Sequence, residues 1–302
     1  MSEDRTEWLD WRRRGIGGSD IAILQGLSHY DSPYGLWLDK TGRREHQKEA
    51  TSAMNWGNIM EPVLEEQFTK RTGLFTYGSQ TRMEHPEHIW PRATLDALVT
   101  DRVVEPLGVL ELKTSGRPLS DMMPVYVAQV QWQMFVTGLP KAWIAVLRNG
   151  NDFTIHEVEE DLLYQNEQFA LAQRFWNDHV LADVPPEIDG SEQTRDALND
   201  SFRPAKGLTT EIEPDIFQRL IDARAALKAA EIEKEWCENT IKARMADAEA
   251  GQIDGKTVVT WVPRISESLD TKALKEQDAA VAAKYATKTV SRVFTVTRGA
   301  GK

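Results

Sequence analysis

The sequence predicts an α/β fold in which a mixed central sheet is flanked by helices, followed by a C-terminal appendage. Short apolar runs typical of strands alternate with helical segments up to about residue 179, which is the pattern of an α/β core. A stretch with several prolines and glycines comes next, and a long helical repeat follows it. We therefore expect a core over residues 1–182, a linker over 183–208 and a separate module over 209–302.

Four helices are predicted before the first strand. Ser32 is a good N-cap and Pro33 suits the first helical position, so the third helix begins there. Gly73 ends the fourth helix, because glycine accommodates the left-handed conformation common at helix C-termini. The four predicted helices cover residues 6–13, 19–24, 33–40 and 55–71.

Strands and helices alternate through the rest of the predicted core. The strands are expected at 75–80, 93–99, 109–113, 142–147 and 153–158. A helix at 120–136 joins the third strand to the fourth, and a long amphipathic helix at 161–179 closes the unit.

The C-terminal third has a different pattern. From Ile216, apolar or small residues recur in steps of four and three, interrupted by Lys234, which predicts a coiled-coil-like helix of about ten turns. A strand at 257–262, a helix at 271–284 and a strand at 290–297 follow, and the two strands could pair as an antiparallel ribbon. This module either contacts DNA, a partner protein or a neighbouring subunit, or it braces the core, and its function stays unassigned.

The most informative residues are Glu111, Leu112 and Lys113, which end an apolar run, and Asp96, which lies inside another. Period-2 alternation puts Glu111 and Lys113 on one face of a strand, where an Asp on a neighbouring strand can meet both. Two carboxylates with the intervening carbonyl are oxygen ligands suited to Mg²⁺ or Mn²⁺, and a lysine beside them can activate a water. The alternative is a surface ion pair at a strand end.

Two helices add polar groups on either side of this pattern. Glu61 lies off the centre of the apolar stripe of its helix, so its carboxylate can project towards the metal site. Tyr126, Gln129 and Gln133 share one face of the helix at 120–136 and could orient a water or bind a phosphate. The alternatives are an ordinary first-turn acid and a solvated helix side.

The N-terminal segment has features of an anion site. Gly15, Gly17 and Gly18 let backbone N–H groups approach an anion, and Ser19 is a candidate N-cap for the helix that follows. The three arginines at 12–14 supply bidentate phosphate donors to the same place. A glycine turn before a capped helix is the structural alternative.

In this order, the segments resemble the lambda-exonuclease branch of the PD-(D/E)XK nucleases, specifically the YqaJ-like viral recombinases. The matching motifs run from about Trp8 to Thr137: W-x3-R with G-I-G-G-S, W-G-x3-E, T-L-D, L-E-L-K and Y-x-A-Q-V-Q-x-x-M. One departure is that Leu95 and Ala97 flank Asp96, where the family usually has P-D-G. The resemblance implies a PD-(D/E)XK core and a metal-dependent 5′→3′ exonuclease that degrades one strand of linear duplex DNA and leaves 3′ single-stranded tails for annealing-type recombination.

The same resemblance assigns roles to particular residues. The metal ion, Mg²⁺ or Mn²⁺, would be bound by Asp96, Glu111 and the Leu112 carbonyl. Lys113 would be the catalytic lysine, with Glu61 and Gln129 in support.

The resemblance also implies partners. Arg12, Ser19 and Thr94 would form a 5′-phosphate site, with Tyr126 and Gln129 as further DNA-binding candidates. Double-stranded DNA ends would be the substrate, a trimeric ring the assembly, and a single-strand annealing protein the partner.

Composition limits the other possibilities. The 302-residue chain has a formal net charge of −11 and a single cysteine, Cys237, which excludes an internal disulfide and a four-cysteine metal cluster. The acidic balance argues against a broadly basic surface, so phosphate binding would depend on metal ions and local groups such as Arg12 and Lys113. No run of 18 apolar residues and no signal-like segment occurs, so we expect a cytoplasmic protein without a membrane partner.

Two other functions use the same residues differently. An endonuclease or nicking enzyme would keep the core but cut closed DNA. A catalytically silent DNA- or protein-binding module would keep only the scaffold, and such a module would have no chemical need for Asp96, Glu111 and Lys113.

Overall fold

The structure is a computed structural model that describes residues 3–44, 52–101, 105–202, 207–287 and 294–296. The chain divides into two compact units, Met1–Arg203 and Pro204–Lys302.

The first unit contains seven helices and seven strands among the described residues. The helices are α1 (Glu3–Arg13), α2 (Gly18–Leu24), α3 (Pro33–Lys40), α4 (Ser52–Thr72), α5 (Leu119–Thr137), α6 (Leu162–Arg174, continued by a π-helical turn, Phe175–Leu181) and α7 (Glu192–Ser201). The strands are β1 (Phe75–Tyr77), β2 (Thr81–Glu84), β3 (Arg92–Leu95), β4 (Ala97–Thr100), β5 (Gly108–Ser115), β6 (Lys141–Arg148) and β7 (Asp152–Glu159).

Five of these strands form the central sheet, in the order β1-β4-β5-β6-β7. β5 and β6 are parallel and every other neighbouring pair is antiparallel, so the sheet is mixed, as the sequence predicts. The connection between parallel strands must cross over one face, and α5 provides it. β2 and β3 form a separate two-stranded sheet.

The predicted strand at 93–99 is in fact two strands that separate at Asp96. β3 pairs with β2, whereas β4 pairs with β5, where Ala97 lies opposite Leu110. Extending that antiparallel register by one residue brings Asp96 opposite Glu111. The predicted strand at 75–80 likewise ends early, at Tyr77, and a turn leads into β2.

Both faces of the central sheet are covered. A large core cluster fills the α5 face and contains Trp132, Ile144 and Val146, while a smaller cluster on the α4 face contains Leu64, Phe68 and Leu112. Because side chains alternate along β5, Leu112 packs towards α4 and Glu111 points towards α5. The apolar run therefore buries a carboxylate beneath a helix.

Trp132 ties the N-terminal glycine segment to β3. Its side chain is fully buried, and Nε1 donates to the carbonyl oxygens of Ile16 and Arg92, both at 3.1 Å. Ile16 also accepts a backbone hydrogen bond from Arg92 at 2.8 Å. These contacts fix the position of the residues that follow Ile16.

The predicted linker at 183–208 contains a helix. α7 is capped by Ser191, whose hydroxyl accepts from the Thr194 N–H, and it packs against α3 through the fully buried Ala197. The two prolines and one glycine at 185–190 precede this helix, so they mark a connection shorter than predicted.

In the second unit the long helix is confirmed as α8 (Pro214–Met245), about nine turns in length. The predicted strand at 257–262 is present as β9 (Lys256–Thr260), and it pairs through a tight turn with β8 (Ala250–Ile253), a strand that was not predicted. Of the predicted strand at 290–297, residues 290–293 and 297 lie outside the described residues, and 294–296 are not in a strand.

The predicted helix at 271–284 is two short helices, α9 (Thr271–Gln277) and α10 (Ala279–Tyr285). Asp278 lies between them and its side chain caps α10 by accepting from the Val281 N–H. Among the described residues, none of the helices has the length and apolar character needed to cross a bilayer.

We expect Trp132→Phe to lower the free energy of unfolding by about 2–3 kcal/mol, because it leaves a buried gap and removes a donor from two carbonyl groups. Urea unfolding followed by circular dichroism measures this change. Trp56→Phe is the matched control: its side chain is 61% exposed, so the expected change is within about 0.5 kcal/mol. Equal effects of the two substitutions would contradict the anchoring role of Trp132.

Candidate active site

Asp96 occupies the break between β3 and β4, and its carboxylate reaches across to β5. Oδ2 accepts a hydrogen bond from the Leu112 N–H at 2.7 Å. The N–H and C=O of one strand residue point to the same side, so the Leu112 carbonyl faces the same edge as Asp96. The sequence pattern thus correctly predicts that Asp96, Glu111 and Leu112 lie together.

Glu111 is buried, with 1% of its surface exposed, and two glutamines of α5 hold it. Gln129 Nε2 donates to Oε1 at 2.7 Å, and Gln133 Nε2 donates to Oε2 at 2.7 Å. The two glutamines are one helical turn apart and therefore share a face, as the sequence indicates. Each oxygen of the carboxylate has its own amide donor.

Lys113 lies next to Glu111 on the same face of β5 and forms an ion pair with it. Burial alone would lower the pKa of Lys113, but the Glu111 and Asp96 carboxylates outweigh it and raise that pKa. The side chain is 27% exposed, so the ammonium reaches the pocket.

Tyr126 stands behind the lysine: the Lys113 ammonium lies 5.7 Å from the centre of its ring. Tyr126 is buried and does not line the pocket described below.

Glu61 joins the cluster through a residue that the sequence patterns missed. Gln80 Nε2 lies 3.2 Å from Glu61 Oε2 and 3.3 Å from Asp96 Oδ1, so one amide bridges two carboxylates. Gln80 has φ of 55°, a left-handed conformation that is uncommon for a residue other than glycine. A turn residue has no periodic signal, and no other feature of the sequence pointed to it.

The acidic groups repel one another in a poorly solvated space. Burial, and then the neighbouring Glu111, raise the pKa of Asp96 to about 8. Burial also raises the pKa of Glu61; the Gln80 hydrogen bond opposes that shift and Glu111 adds to it. A nearby cation would favour the ionised form of carboxylates in such surroundings.

The donor set fits a hard divalent ion. The candidate ligands are the carboxylates of Asp96 and Glu111 and the Leu112 carbonyl. Within the described residues, no group of three or more His, Cys, Asp or Glu side chains is arranged to hold a metal ion. Each carboxylate oxygen can accept two hydrogen bonds. The contacts given above leave one acceptor position on each oxygen of Asp96 and on Oε2 of Glu111. Such oxygens suit Mg²⁺ or Mn²⁺.

The N-terminal residues form the opposite wall of the same pocket. Arg12 Nη2 lies 3.4 Å from Ser19 Oγ and 3.5 Å from Asp20 Oδ1. Arg13 instead faces Asp10 and the Arg44 carbonyl, and Arg14 donates to the Asp10 carbonyl. Of the three arginines, Arg12 is the one that lines the pocket.

Two local expectations for this segment are wrong. α2 begins at Gly18 with Gly17 as its N-cap, so Ser19 is in the first turn and is not the cap. Of the three glycine N–H groups expected to face an anion, that of Gly15 donates to the Arg12 carbonyl at 3.3 Å and that of Gly17 to Asp20 Oδ2 at 2.8 Å, so these two are not available.

The glycines instead allow close packing. A Cβ on Gly15 would lie 2.2 Å from the Trp90 carbonyl, and one on Gly18 would lie 2.9 Å from the Gln129 side chain. Gly18 therefore lets α2 approach α5 beside the carboxylates.

One pocket of about 190 Å³ joins the two groups of residues. Its wall contains Trp8, Trp11, Arg12, Gly17, Gly18, Ser19, Asp20, Arg92, Ala93, Thr94, Asp96, Glu111, Lys113 and Gln129. Leu112 contributes backbone groups and Glu61 reaches Asp96 through Gln80, as described above. Asp20 and Arg92 are not among the residues that the sequence predicts for the site, because isolated charged residues carry no pattern.

Comparison with known proteins identifies the family of this chain. Residues 7–140 match the family model of the YqaJ-like viral recombinase domain. The Bacillus subtilis (strain 168) protein described as uncharacterized protein YqaJ is 32% identical over 286 residues, which cover 90% of this chain and 88% of that protein. The chain belongs to the YqaJ family. The predicted family is therefore confirmed, and residues 7–140 contain every candidate site residue.

Two solved structures are also similar. An alkaline exonuclease from Laribacter hongkongensis has 20% identity and a TM-score of 0.47, covering 59% of this chain and 94% of that one. A phage-related exonuclease from Haemophilus somnus 129PT has 14% identity and a TM-score of 0.41, covering 56% and 96%. The structure confirms the expected α/β core, in which a mixed central sheet lies between helices.

The raised pKa of Asp96 predicts a pH-dependent stability in EDTA. A pKa of about 8 in the folded chain against 3.8 for the unfolded group means that protonation favours the folded state. This stabilisation is complete below about pH 4 and is lost as the pH rises towards 8. Asp96→Asn cannot ionise, so its Tm should exceed that of the unsubstituted protein by several degrees at pH 9 and by much less at pH 5.

Mg²⁺ should offset the loss of stability that the unsubstituted protein shows at high pH, because the ion binds the ionised Asp96 carboxylate. It should raise the Tm of the unsubstituted protein more at pH 9 than at pH 6, with little effect on Asp96→Asn. Asp121→Asn, which changes an exposed carboxylate on α5, is the control and should leave the pH profile unchanged. Parallel profiles for Asp96→Asn and the unsubstituted protein would contradict the assignment.

Proposed function

We propose that this YqaJ-family protein is a metal-dependent exonuclease that degrades one strand of linear double-stranded DNA in the 5′→3′ direction. The observation that supports it most is that one pocket contains both the Asp96, Glu111 and Lys113 cluster and the Arg12 and Ser19 wall. A phosphodiester and the terminal 5′-phosphate next to it could therefore be bound together.

Asp96, Glu111 and the Leu112 carbonyl would hold the ion, Mg²⁺ or in its place Mn²⁺. The ion supplies Lewis acidity and lowers the pKa of water. Gln129 and Gln133 keep Glu111 oriented through their 2.7 Å hydrogen bonds, and Gln80 keeps Glu61 and Asp96 together. Lys113 is cationic, so it orients the attacking water and stabilises negative charge that develops on the phosphate oxygens.

A 5′-phosphate site would explain why the enzyme starts at an end. Arg12 and Ser19 offer a charged donor and a hydroxyl, and Thr94 of β3 lines the same pocket. A phosphorylated 5′ terminus would bind Arg12 more tightly than a hydroxyl terminus would, because charge-assisted hydrogen bonds to phosphate are strong. The 3′-tailed product would then pass to a single-strand annealing protein in phage-type recombination.

The protein as it acts would be a cytoplasmic ring of three subunits around the duplex. This part of the proposal follows from the family resemblance. It agrees with the acidic net charge of −11, since an enclosed duplex does not need a broadly basic outer surface.

Digestion of linear and closed DNA side by side tests the proposal. With Mg²⁺, 5′-phosphorylated linear duplex should be degraded from its 5′ ends, and EDTA should stop the reaction. Covalently closed circles should remain intact, because they have no end to bind. Cutting of the circles would indicate an endonuclease, and binding without degradation of either DNA would indicate a silent module.

Lys113→Ala should reduce the cleavage rate by about 10³-fold or more while end binding changes little, because the lysine acts on the reacting groups. Single-turnover kinetics with labelled duplex measure the rate, and fluorescence anisotropy in EDTA measures binding. Lys141→Ala is the control: Lys141 pairs with Glu157 at 2.5 Å at the start of β6 and does not line the pocket. Full activity of Lys113→Ala would remove this lysine from the mechanism.

A further inference from the structure

A buried ion pair lies directly behind Arg12 and has no role in the proposed chemistry. Lys40, the last residue of α3, extends its ammonium to within 2.6 Å of Asp20 Oδ2 in α2. Both side chains are buried, with 0% of the lysine and 2% of the aspartate side chain exposed. Lys40 Nζ also donates to the Arg12 carbonyl at 3.0 Å.

Asp20 is the group that Arg12 and Lys40 share. Its Oδ1 lies 3.5 Å from Arg12 Nη2, and its Oδ2 accepts from the Lys40 ammonium and from the Gly17 N–H at 2.8 Å. Burial would raise the pKa of Asp20, but Lys40 and then Arg12 lower it overall, so the carboxylate is ionised at neutral pH.

The charges show what Lys40 contributes. Asp20 lines the pocket beside Arg12. Without Lys40, this carboxylate would neutralise the guanidinium and repel an incoming phosphate. With Lys40 present, Arg12, Asp20 and Lys40 together carry a net charge of about +1. Asp20 makes its shorter contact with Lys40, so the Arg12 guanidinium remains able to attract an anionic ligand.

We propose that Lys40 is a positioning residue that compensates the buried Asp20 carboxylate and thereby keeps Arg12 available for a terminal 5′-phosphate. This inference rests on the proposed function, because it concerns the phosphate site of the same pocket. Lys40 acts through Asp20 and through the Arg12 backbone and does not itself line the pocket.

The test is binding of 5′-phosphorylated and 5′-hydroxyl duplexes of the same sequence, measured by fluorescence anisotropy in EDTA. The ratio of the two affinities is independent of the fraction of folded protein and of catalysis. Lys40→Met should lower the preference for the 5′-phosphate about 10-fold or more, because Asp20 then pairs with Arg12 alone. Affinity for the 5′-hydroxyl duplex should change much less.

The double variant Asp20→Asn with Lys40→Met separates charge compensation from packing. It has no uncompensated buried charge, so it should fold even where Lys40→Met does not, as circular dichroism and its Tm will show. Its preference should return to within about threefold of the unsubstituted protein, since Arg12 no longer faces a carboxylate. Lys141→Met, which breaks an exposed lysine–glutamate pair, should leave the preference unchanged.

Three results would overturn the inference. They are an unchanged preference in folded Lys40→Met, a lost preference in the double variant, and no preference in the unsubstituted protein. The proposed function fails differently, through intact linear duplex in the Mg²⁺ digestion. A protein that does not digest linear duplex, but whose preference for 5′-phosphate ends in EDTA is lost in Lys40→Met and returns in the double variant, would support the role of Lys40 and refute the exonuclease.

Discussion

The hydrogen bond from the Leu112 N–H to Asp96 is the interaction on which the candidate site depends. β3 belongs to the separate two-stranded sheet and β4 joins β5 only from Ala97, so without Asp96 the Leu112 N–H would have no strand partner at this edge. The carboxylate replaces the missing strand as acceptor, and the N–H in turn fixes the position of Asp96 next to β5. A buried N–H and a buried carboxylate each need a partner, and here each satisfies the other.

Glu111 shows how a carboxylate can occupy the interior of a sheet–helix interface. Three donors surround it: two glutamine amides from α5 and the Lys113 ammonium from its own strand. Removing one partner of such a group is expensive, because the remaining charge is left poorly solvated. The two glutamine amides therefore hold the Glu111 carboxylate in place beside Asp96. Gly18 contributes because it lets α2 approach Gln129. Stability and the proposed chemical function would therefore be linked at Glu111.

The sequence predicted the parts of this arrangement that depend on periodicity. Alternation along β5 put Glu111 and Lys113 on one face, and the helical period put Gln129 and Gln133 on one face of α5, and both predictions are confirmed. The break at Asp96 could not be predicted, because two short strands and one long strand have the same apolar pattern. Gln80 lies in a turn, and Lys40 is 20 positions from Asp20, so neither contact has a local signature. The ribbon partner of β9 was missed because the competing strand β8 is short and contains a glycine.

The charges around the pocket bear on how an acidic chain would offer the proposed phosphate site. Arg92 pairs with Glu84 at 3.0 Å, Lys113 pairs with Glu111, and Lys40 pairs with Asp20. Each of these cations is close to its own carboxylate, so its field is largely cancelled a short distance away. Arg12 differs, because the carboxylate nearest to it is bound more closely by Lys40. The positive charge in this wall is therefore concentrated on one guanidinium beside the carboxylates that suit a metal ion. A ligand with a terminal phosphate would gain most where that guanidinium and an ion held by the carboxylates act on it together, and both sets of groups line one pocket of about 190 Å³.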